Sequence, residues 1–376
     1  MQRADGTASY NTGVKDHRIC NKCVIPESTL IHLDAEGNCR LCSSPSLFRH
    51  IIKKPDSEQL ARLIERIKES GKNRPFDCIA AWSGGRDSTF MLHELVRTHD
   101  LRCVAVFGKT PFTPEEIVES VHLIANRLGV ELIEIETPPN HLEIARYCLK
   151  KYLASPAPIL INLACAACKM VNKEIFRHAH RLRVGAIIYG GNRFEYFPSG
   201  PASIDIDSEN RYSFLNMVRD NFSRIVRGIR IVINSPALLR YWMTFFKASV
   251  LYVNQYTVYL RLLYPDIHRF DYYHYADWNE EKITAVLKNL GWKLPAGCTS
   301  SWRADCIFEA VKNTAFKDQL GFTYAEAMYS NLIRAGKMTR EEARIRLEKE
   351  TISEPRLRKA LELCGLPANV FTNSDK

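Results

Sequence analysis

A chain of 376 residues, 46% of them hydrophobic, has enough apolar material for one large packed body with smaller attachments. That excludes a wholly disordered polymer and a small disulfide-framed protein. The net charge of +10 suits nucleic acid, nucleotide phosphates or anionic sugars, and does not choose among them.

Residues 1–16 are polar with no apolar run, so no secretion signal is expected. In the most apolar stretch, 238–264, the longest uncharged part is 248–260. It falls short of the roughly 20 residues a spanning helix needs. The expectation is a soluble, cytoplasmic protein with no membrane association.

The first distinctive feature in chain order is a pair of C-x-x-C knuckles, Cys20 with Cys23 and Cys39 with Cys42, flanking the turn-rich segment 34–38 (DAEGN). Each knuckle offers two thiolates, and two knuckles close a tetrahedron around zinc. A closed site has no open coordination position, so its role is structural. Residues 58–70 then repeat apolar side chains at helical spacing, and 71–75 break the pattern. Residues 76–82 form a short apolar run entering glycines, which reads as a buried strand. The helical period resumes over 88–98. A second strand is expected at 101–107, a helix at 114–128, a third strand at 130–135, a helix at 141–153 and a further strand at 184–189. Strands alternating with helices at this spacing imply βαβ units and a parallel sheet.

Cys165 and Cys168 precede the helical stretch CKMVNKEIFRHAHRL, and a thiol at a helix N-terminus has a lowered pKa. Three readings stay open there. The pair supplies two ligands of a second metal or cluster site completed by Cys298 and Cys306, or it is a redox pair, or its small side chains pack a helix start. Cys78, Cys103 and Cys148 read as buried small hydrophobes. Beyond about residue 205, helical stretches rich in Tyr, Phe, Arg and Leu dominate, and their aromatic rings read as helix packing. Thr339 followed by Glu342 fits a capping box.

The segment 78–89 is strand, glycine loop and helix start, with Ser83-Gly84-Gly85-Arg86-Asp87-Ser88 at its centre. Adjacent glycines let backbone N–H groups approach an anion, Ser83 and Ser88 add hydroxyls, and the helix presents its positive end to the same place. It is neither a Walker A loop nor a dinucleotide fingerprint. Arg86 sits at the loop's variable position, either touching phosphate or facing solvent. Gly191, Asn192 and Glu195 follow the later strand at the same carboxyl edge of the sheet, where ligands gather. Asn192 and Glu195 are candidates for substrate or magnesium contact.

The order S-G-G-x-D-S after the first strand resembles the PP-loop ATP pyrophosphatases, of the adenine nucleotide alpha hydrolase-like fold. The resemblance implies that Ser83, Gly84, Gly85, Arg86, Asp87 and Ser88 hold ATP and its pyrophosphate. It also implies that Ser83 and Asp87 are needed for adenylation, and that Val106 and Phe107, at the end of the second strand, lie against adenine. The domain order expected is a flexible tail at 1–17, a zinc-binding module at 18–45, a PP-loop ATP-binding α/β domain at 46–204, and a mainly helical region at 205–376.

In patches over most of the chain, the sequence further resembles the N-acetyl sugar amidotransferases of bacterial surface-polysaccharide (lipopolysaccharide) biosynthesis. The patches are 18–26 (RICNKCVIP), 34–42 (DAEGNCRLC), the loop itself, 165–169 (CAACK), 188–192 (IYGGN) and 331–343 (NLIRAGKMTREEA). That likeness implies ATP-dependent conversion of a sugar acetamido group to an acetamidino group. ATP, magnesium and zinc would be the cofactors, with ammonia from a separate glutaminase. The alternative is a PP-loop enzyme that thiolates tRNA through a cysteine-ligated iron–sulfur cluster, which the positive charge and the second cysteine group favour.

Overall fold

The computed structural model describes residues 18–44, 54–195, 226, 229–253 and 257–371. The tail expected at 1–17 lies outside them.

Five strands run parallel: β1 (Cys78–Trp82), β2 (Cys103–Lys109), β3 (Glu131–Glu136), β4 (Ala186–Tyr189) and β5 (His268–Asp271). Their order across the sheet is β3-β2-β1-β4-β5. Every residue of β1 (CIAAW) is buried, as are the first five of β2, because helices cover both faces of a parallel sheet. The short side chains of Cys78 and Cys103 lie side by side in register, their sulfurs 3.4 Å apart. β5 comes from beyond residue 205, where the sequence reads as helical. It is four residues long, polar and at the sheet edge, too short for a periodic signal.

The order has one functional consequence. From β1 the chain adds β2 and β3 on one side, then returns to place β4 on the other. The carboxyl ends of β1 and β4 therefore meet at the sheet's switch point, the usual ligand position in an open α/β sheet.

Helix α1 (Ser57–Gly71) starts where the Asp56 side chain accepts from the Gln59 N–H, and it buries Leu63, Ile64 and Ile67. Helix α2 (Arg86–His93) springs directly from the glycine loop and widens into a π turn at Glu94–Thr98. Helix α3 (Glu115–Leu128) ends at Gly129, whose φ of +70° is the left-handed conformation that closes a helix. Helices α4 (His141–Ala154) and α5 (Pro158–Ala164) lead through a 3₁₀ turn at Ala166–Met170 into α6 (Val171–Arg181). The C-terminal part contributes α7 (Glu280–Leu290), α8 (Phe308–Leu320), α9 (Tyr324–Arg334), α10 (Arg340–Lys349) and α11 (Glu354–Leu363). The capping box expected at Thr339 and Glu342 is present, and Thr323 with Glu326 forms a second one at the start of α9. Among the described residues no helix is long and apolar enough to cross a membrane.

Apolar side chains on the α2, α3, α7 and α9 side of the sheet form one core, and α6 closes the other side. A further core joins α4, α5, α8 and α11 to Cys20, Cys23 and Cys39. Each fully buried large side chain in these cores is worth about 1.5–3 kcal/mol of transfer free energy. The parallel sheet, the phosphate-type loop, the N-terminal four-cysteine group and the helical C-terminal region together give the fold class expected from the sequence.

Candidate active site at the sheet's switch point

The loop leaves β1 in a conformation that Gly84 permits. Gly84 has φ +77°, and a side chain there would meet Ile117 at 2.5 Å. Ser83 Oγ lies 3.1 Å from Ser88 Oγ and accepts from the Gly85 N–H at 3.2 Å. Ser88 and Thr89 donate to the Gly85 carbonyl, at 3.1 and 2.8 Å, and pin the loop to the first turn of α2. From the other wall of the crevice, Gly190 follows β4 so closely that an added Cβ would sit 2.5 Å from the Ser88 Cα. The two glycine turns thus meet backbone to backbone, and Ser83, Gly85, Ser88, Gly191, Arg303 and Asp305 line a cleft of about 710 Å³ counted to its open mouth.

Arg86 does not face solvent; its side chain is 3% exposed. Its guanidinium lies over the ring of Trp302, 3.7 Å from the centroid, and 5.3 Å from that of Trp278. It donates to Asp87 at 2.9 Å, Glu280 at 3.2 Å and Ser301 at 3.1 Å. Burial opposes the charge, but Asp87, Glu280 and Glu195 outweigh it and hold Arg86 above its ordinary pKa. The carboxylate of Asp87 is also fully engaged. Oδ1 accepts from Arg86 and from Trp278 Nε1 at 3.2 Å, and Oδ2 accepts from the Asn192 amide in a short bond. The Asp87 carbonyl takes the Tyr273 hydroxyl at 2.9 Å. Asp87 therefore anchors the start of α2 to both walls of the crevice. Asn192 uses its other end to accept from the Phe194 N–H at 2.8 Å, which fixes the turn carrying Glu195.

Glu195 lies 3.0 Å from Arg303, and burial lifts it above the ordinary carboxylate range in spite of that partner. Asp305 leans over the loop, so close that a methyl group on Gly85 would stand 3.0 Å from its carboxylate. Val106 and Phe107 are fully buried in β2, backbone and side chain alike.

The reading of the aromatic residues beyond residue 205 as helix packing needs correction at three tryptophans. Trp278 and Trp302 clamp Arg86, and Trp292 Nε1 donates to the Gly84 carbonyl at 2.9 Å. Tyr273, Arg303 and Asp305 also reach this site from that part of the chain and carried no motif. The one available signal was the segment 298–306 (CTSSWRADC), whose polar side chains are unusually dense; its cysteines alone drew notice.

Cys20, Cys23, Cys39 and Cys42 converge, with all ligand atoms within 4.8 Å of one another. Four sulfurs at ~2.3 Å from a tetrahedral zinc stand about 3.8 Å apart, and Cys23 and Cys39 are separated by 3.9 Å. Arg334, at the end of α9, donates to Cys23, Cys39 and Cys42 at 3.2–3.3 Å. Burial opposes its charge, but the thiols outweigh it and keep it firmly protonated. The same guanidinium donates to Asn331 at 2.6 Å, and Asn331 donates to the Phe194 carbonyl at 3.0 Å. The segment 331–343 thus ties the cysteine module to the turn that holds Asn192.

Cys165, Cys168, Cys298 and Cys306 do not form a second four-thiol site. Among the described residues only the N-terminal four bring their ligand atoms close enough to share an ion. Cys298 accepts from Arg356 at 2.8 Å and lines a different cleft. The backbone turns at Arg303, with φ +46°, and Cys306 follows on the side of the Cys165–Cys168 pair. Cys168 lies 3.5 Å from His141 Nε2. The neighbouring Cys168 thiol and, after it, Lys312 bring Cys165 down to about 5 against the cost of burial. Burial pushes Cys306 up to about 12.

Geometry therefore defines an α/β protein with a glycine–serine loop at the switch point of a parallel sheet. No family model matches the chain. It is 21% identical over 339 residues to the uncharacterized protein MJ1599 of Methanocaldococcus jannaschii, covering 89% of this chain and 94% of that one. Among solved structures, NMN synthetase from Francisella tularensis aligns at a TM-score of 0.36 and 13% identity, over 77% of this chain and 89% of that one. The NH3-dependent NAD synthetase from Campylobacter jejuni aligns at 0.27 and 14%, over 50% and 91%.

Proposed function

We propose that this chain is an AMP-forming ATP pyrophosphatase that activates the amide oxygen of an N-acetylated sugar and passes the activated carbon to ammonia. The observation that carries the reading is the S-G-G-x-D-S loop. It lies at the sheet's switch point, its Ser83, Gly85 and Ser88 line a cleft, and Asp87 is locked to Arg86, Asn192 and Trp278.

An amide oxygen is a poor leaving group, and AMP is a good one. The amide carbonyl oxygen attacks the α-phosphorus, the bond to the β-phosphate oxygen breaks, and pyrophosphate leaves. Ammonia then adds to the activated carbon, the carbon–oxygen bond breaks, and AMP departs with loss of a proton. Ser83 and Ser88 present hydroxyls to the phosphates, and the start of α2 supplies backbone donors. Glu195 and Asp305 supply hard oxygen donors at the mouth of the loop, which suits magnesium carried on the phosphates. Magnesium would neutralise charge on the departing pyrophosphate. Zinc fits the N-terminal four-cysteine group, where it would be structural. The ammonia is assigned to a separate glutaminase subunit, since water must be kept from the activated intermediate. The site of action is the cytoplasm, where ATP is available.

The test is incubation with ATP, magnesium, ammonium and N-acetylated sugars. AMP, pyrophosphate and an amidine product are expected, with glutamine alone inactive in the isolated chain. Direct use of glutamine would overturn the two-subunit assignment. A second reading, thiolation of tRNA, is favoured by one observation: the Cys165–Cys168 pair lies near Cys306, with Lys312 beside it. A brown anaerobic protein that transfers sulfur to tRNA would establish that reading and remove the sugar assignment.

A further inference from the structure

The stretch 236–251 is apolar toward the core and apolar again toward the outside. It consists of two short helices, Pro236–Leu239 and Trp242–Phe246, and a π turn, Lys247–Leu251. Leu238, Tyr241, Phe245 and Ala248 point inward and are buried in the core of α4, α5, α8 and α11. The Tyr241 hydroxyl donates to Glu143 on α4 at 2.5 Å, and Asn172 on α6 donates to the Tyr252 carbonyl at 3.2 Å, so the stretch is fastened to both helices. Trp242, Met243 and Phe246 are left 52%, 41% and 47% exposed among the described residues, and Leu239 is 43% exposed. Phe246 follows Met243 and Trp242 by three and four positions, so the three side chains adjoin on one side of their helix. The next helix, Val258–Leu263, meets this stretch through Tyr252 and Tyr259, whose ring centroids are 5.6 Å apart, and exposes Leu262 and Leu263. Single exposed apolar residues are ordinary, but an adjoining set held in place marks a contact surface.

The charge around this surface has one sign. Residues 221–265 contain six basic side chains, Arg224, Arg227, Arg230, Arg240, Lys247 and Arg261, and no carboxylate. Lys247 follows Met243 by four positions and so flanks the apolar side chains. The guanidinium of Arg240 lies 5.6 Å from the ring of Tyr241. α4 and α6 carry one carboxylate each. Glu143 takes the Tyr241 hydroxyl, and Glu174 is paired with Arg177 at 2.9 Å.

We infer that this surface docks on an anionic lipid membrane. Trp242 has an apolar body with one N–H, and Arg240 and Lys247 have apolar stems with charged ends. Such side chains suit the boundary between headgroups and acyl chains. The basic rim would be drawn to anionic headgroups. A second copy of the chain fits poorly, because a two-fold contact would set one basic rim against the other. No described helix is long and apolar enough to cross a membrane, so the surface lies on the membrane and does not span it. The inference departs from the sequence expectation of no membrane association, and it is independent of the reaction proposed above.

The experiment mixes the full chain with vesicles of phosphatidylcholine and phosphatidylglycerol, or of phosphatidylcholine alone, and separates bound protein by flotation. Wild type should float with the mixed vesicles and bind those of phosphatidylcholine alone at least about tenfold less. Added salt should lower the bound fraction. Trp242→Ser with Phe246→Ser changes only exposed side chains, so circular dichroism should match wild type while binding falls at least about tenfold. Arg240→Gln with Lys247→Gln keeps the apolar side chains and should bind the mixed vesicles about tenfold less at low salt. A folded wild type that floats with neither vesicle overturns the inference, and the surface then belongs to a protein or to the chain itself. Equal binding to both vesicles by wild type also overturns it, as does wild-type flotation of either folded double variant.

Discussion

The two cysteine groups of this protein began as similar patterns and ended as different objects. Cys20, Cys23, Cys39 and Cys42 sit in two knuckles joined by a short hairpin, so local geometry alone brings four thiols within 4.8 Å. Cys165, Cys168, Cys298 and Cys306 needed the whole fold to bring them together. It turns Cys298 toward Arg356 while leaving Cys306 near the other pair. A converging four-thiol group can be read from sequence when both pairs lie on one local loop. When the pairs come from distant elements, the residue types are legible but the partnership is not.

The largest effect that sharpens this contrast is expected from Cys39→Ser. Opening one corner of the four-thiol group should abolish metal binding there and cost more than about 5 kcal/mol, since the binding free energy of a structural metal is folding free energy. Elemental analysis and thermal melting check it; a metal-free variant with a wild-type melt would break the contrast. Next comes Arg334→Met. It leaves the thiolates uncompensated at a partly exposed site, for a loss of about 2 kcal/mol. It also cuts the link through Asn331 to the turn holding Asn192, so the turnover of ATP should fall about tenfold with the metal retained. Unchanged turnover would show that the link is structural only.

A smaller and more selective effect is expected in alkylation. Cys165 is lowered to about 5, so its reactive thiolate form is present through the neutral range and is lost as pH falls through about 5. Cys306, pushed up to about 12, stays a thiol at neutral pH. Iodoacetamide at pH 7, followed by peptide mass mapping, should mark Cys165 well before Cys306, with the N-terminal four protected while metal is bound. Equal labelling of Cys165 and Cys306 would contradict the environments described. The smallest effect belongs to Cys298→Ser, which should leave metal content unchanged and cost about 1 kcal/mol through the Arg356 contact.

The same lesson explains how far the sequence reached elsewhere. Strands β1, β2 and β4 were legible as compact apolar runs, β3 (ELIEIE) because its apolar residues are interleaved with glutamates after a turn, and the loop because its glycines and serines are contiguous. β5 was missed because HRFD is four residues of edge strand with no alternating face. The loop was found, but its frame was not. Trp278, Trp292, Trp302, Tyr273 and Asp305 stand about 190–220 positions further on, and only the fold places them around Arg86, Asp87 and Gly84. Arg86 looked like a residue facing phosphate or solvent, since nothing local in the chain foretells two stacked rings. The segment 331–343 stood out as a motif before its task was visible, because Asn331 and Arg334 act across the fold on Phe194 and the N-terminal thiols.

The most direct test of the central claim is the fate of the phosphates. The chain is incubated with magnesium, ammonium, an N-acetylated sugar and ATP labelled at the α-phosphate, beside Asp87→Ala, which frees Arg86, Asn192 and Trp278 from their common anchor. The account predicts AMP and pyrophosphate from wild type and at least a hundredfold less from the folded variant. Release of ADP and orthophosphate by wild type, or undiminished pyrophosphate release by folded Asp87→Ala, would contradict it.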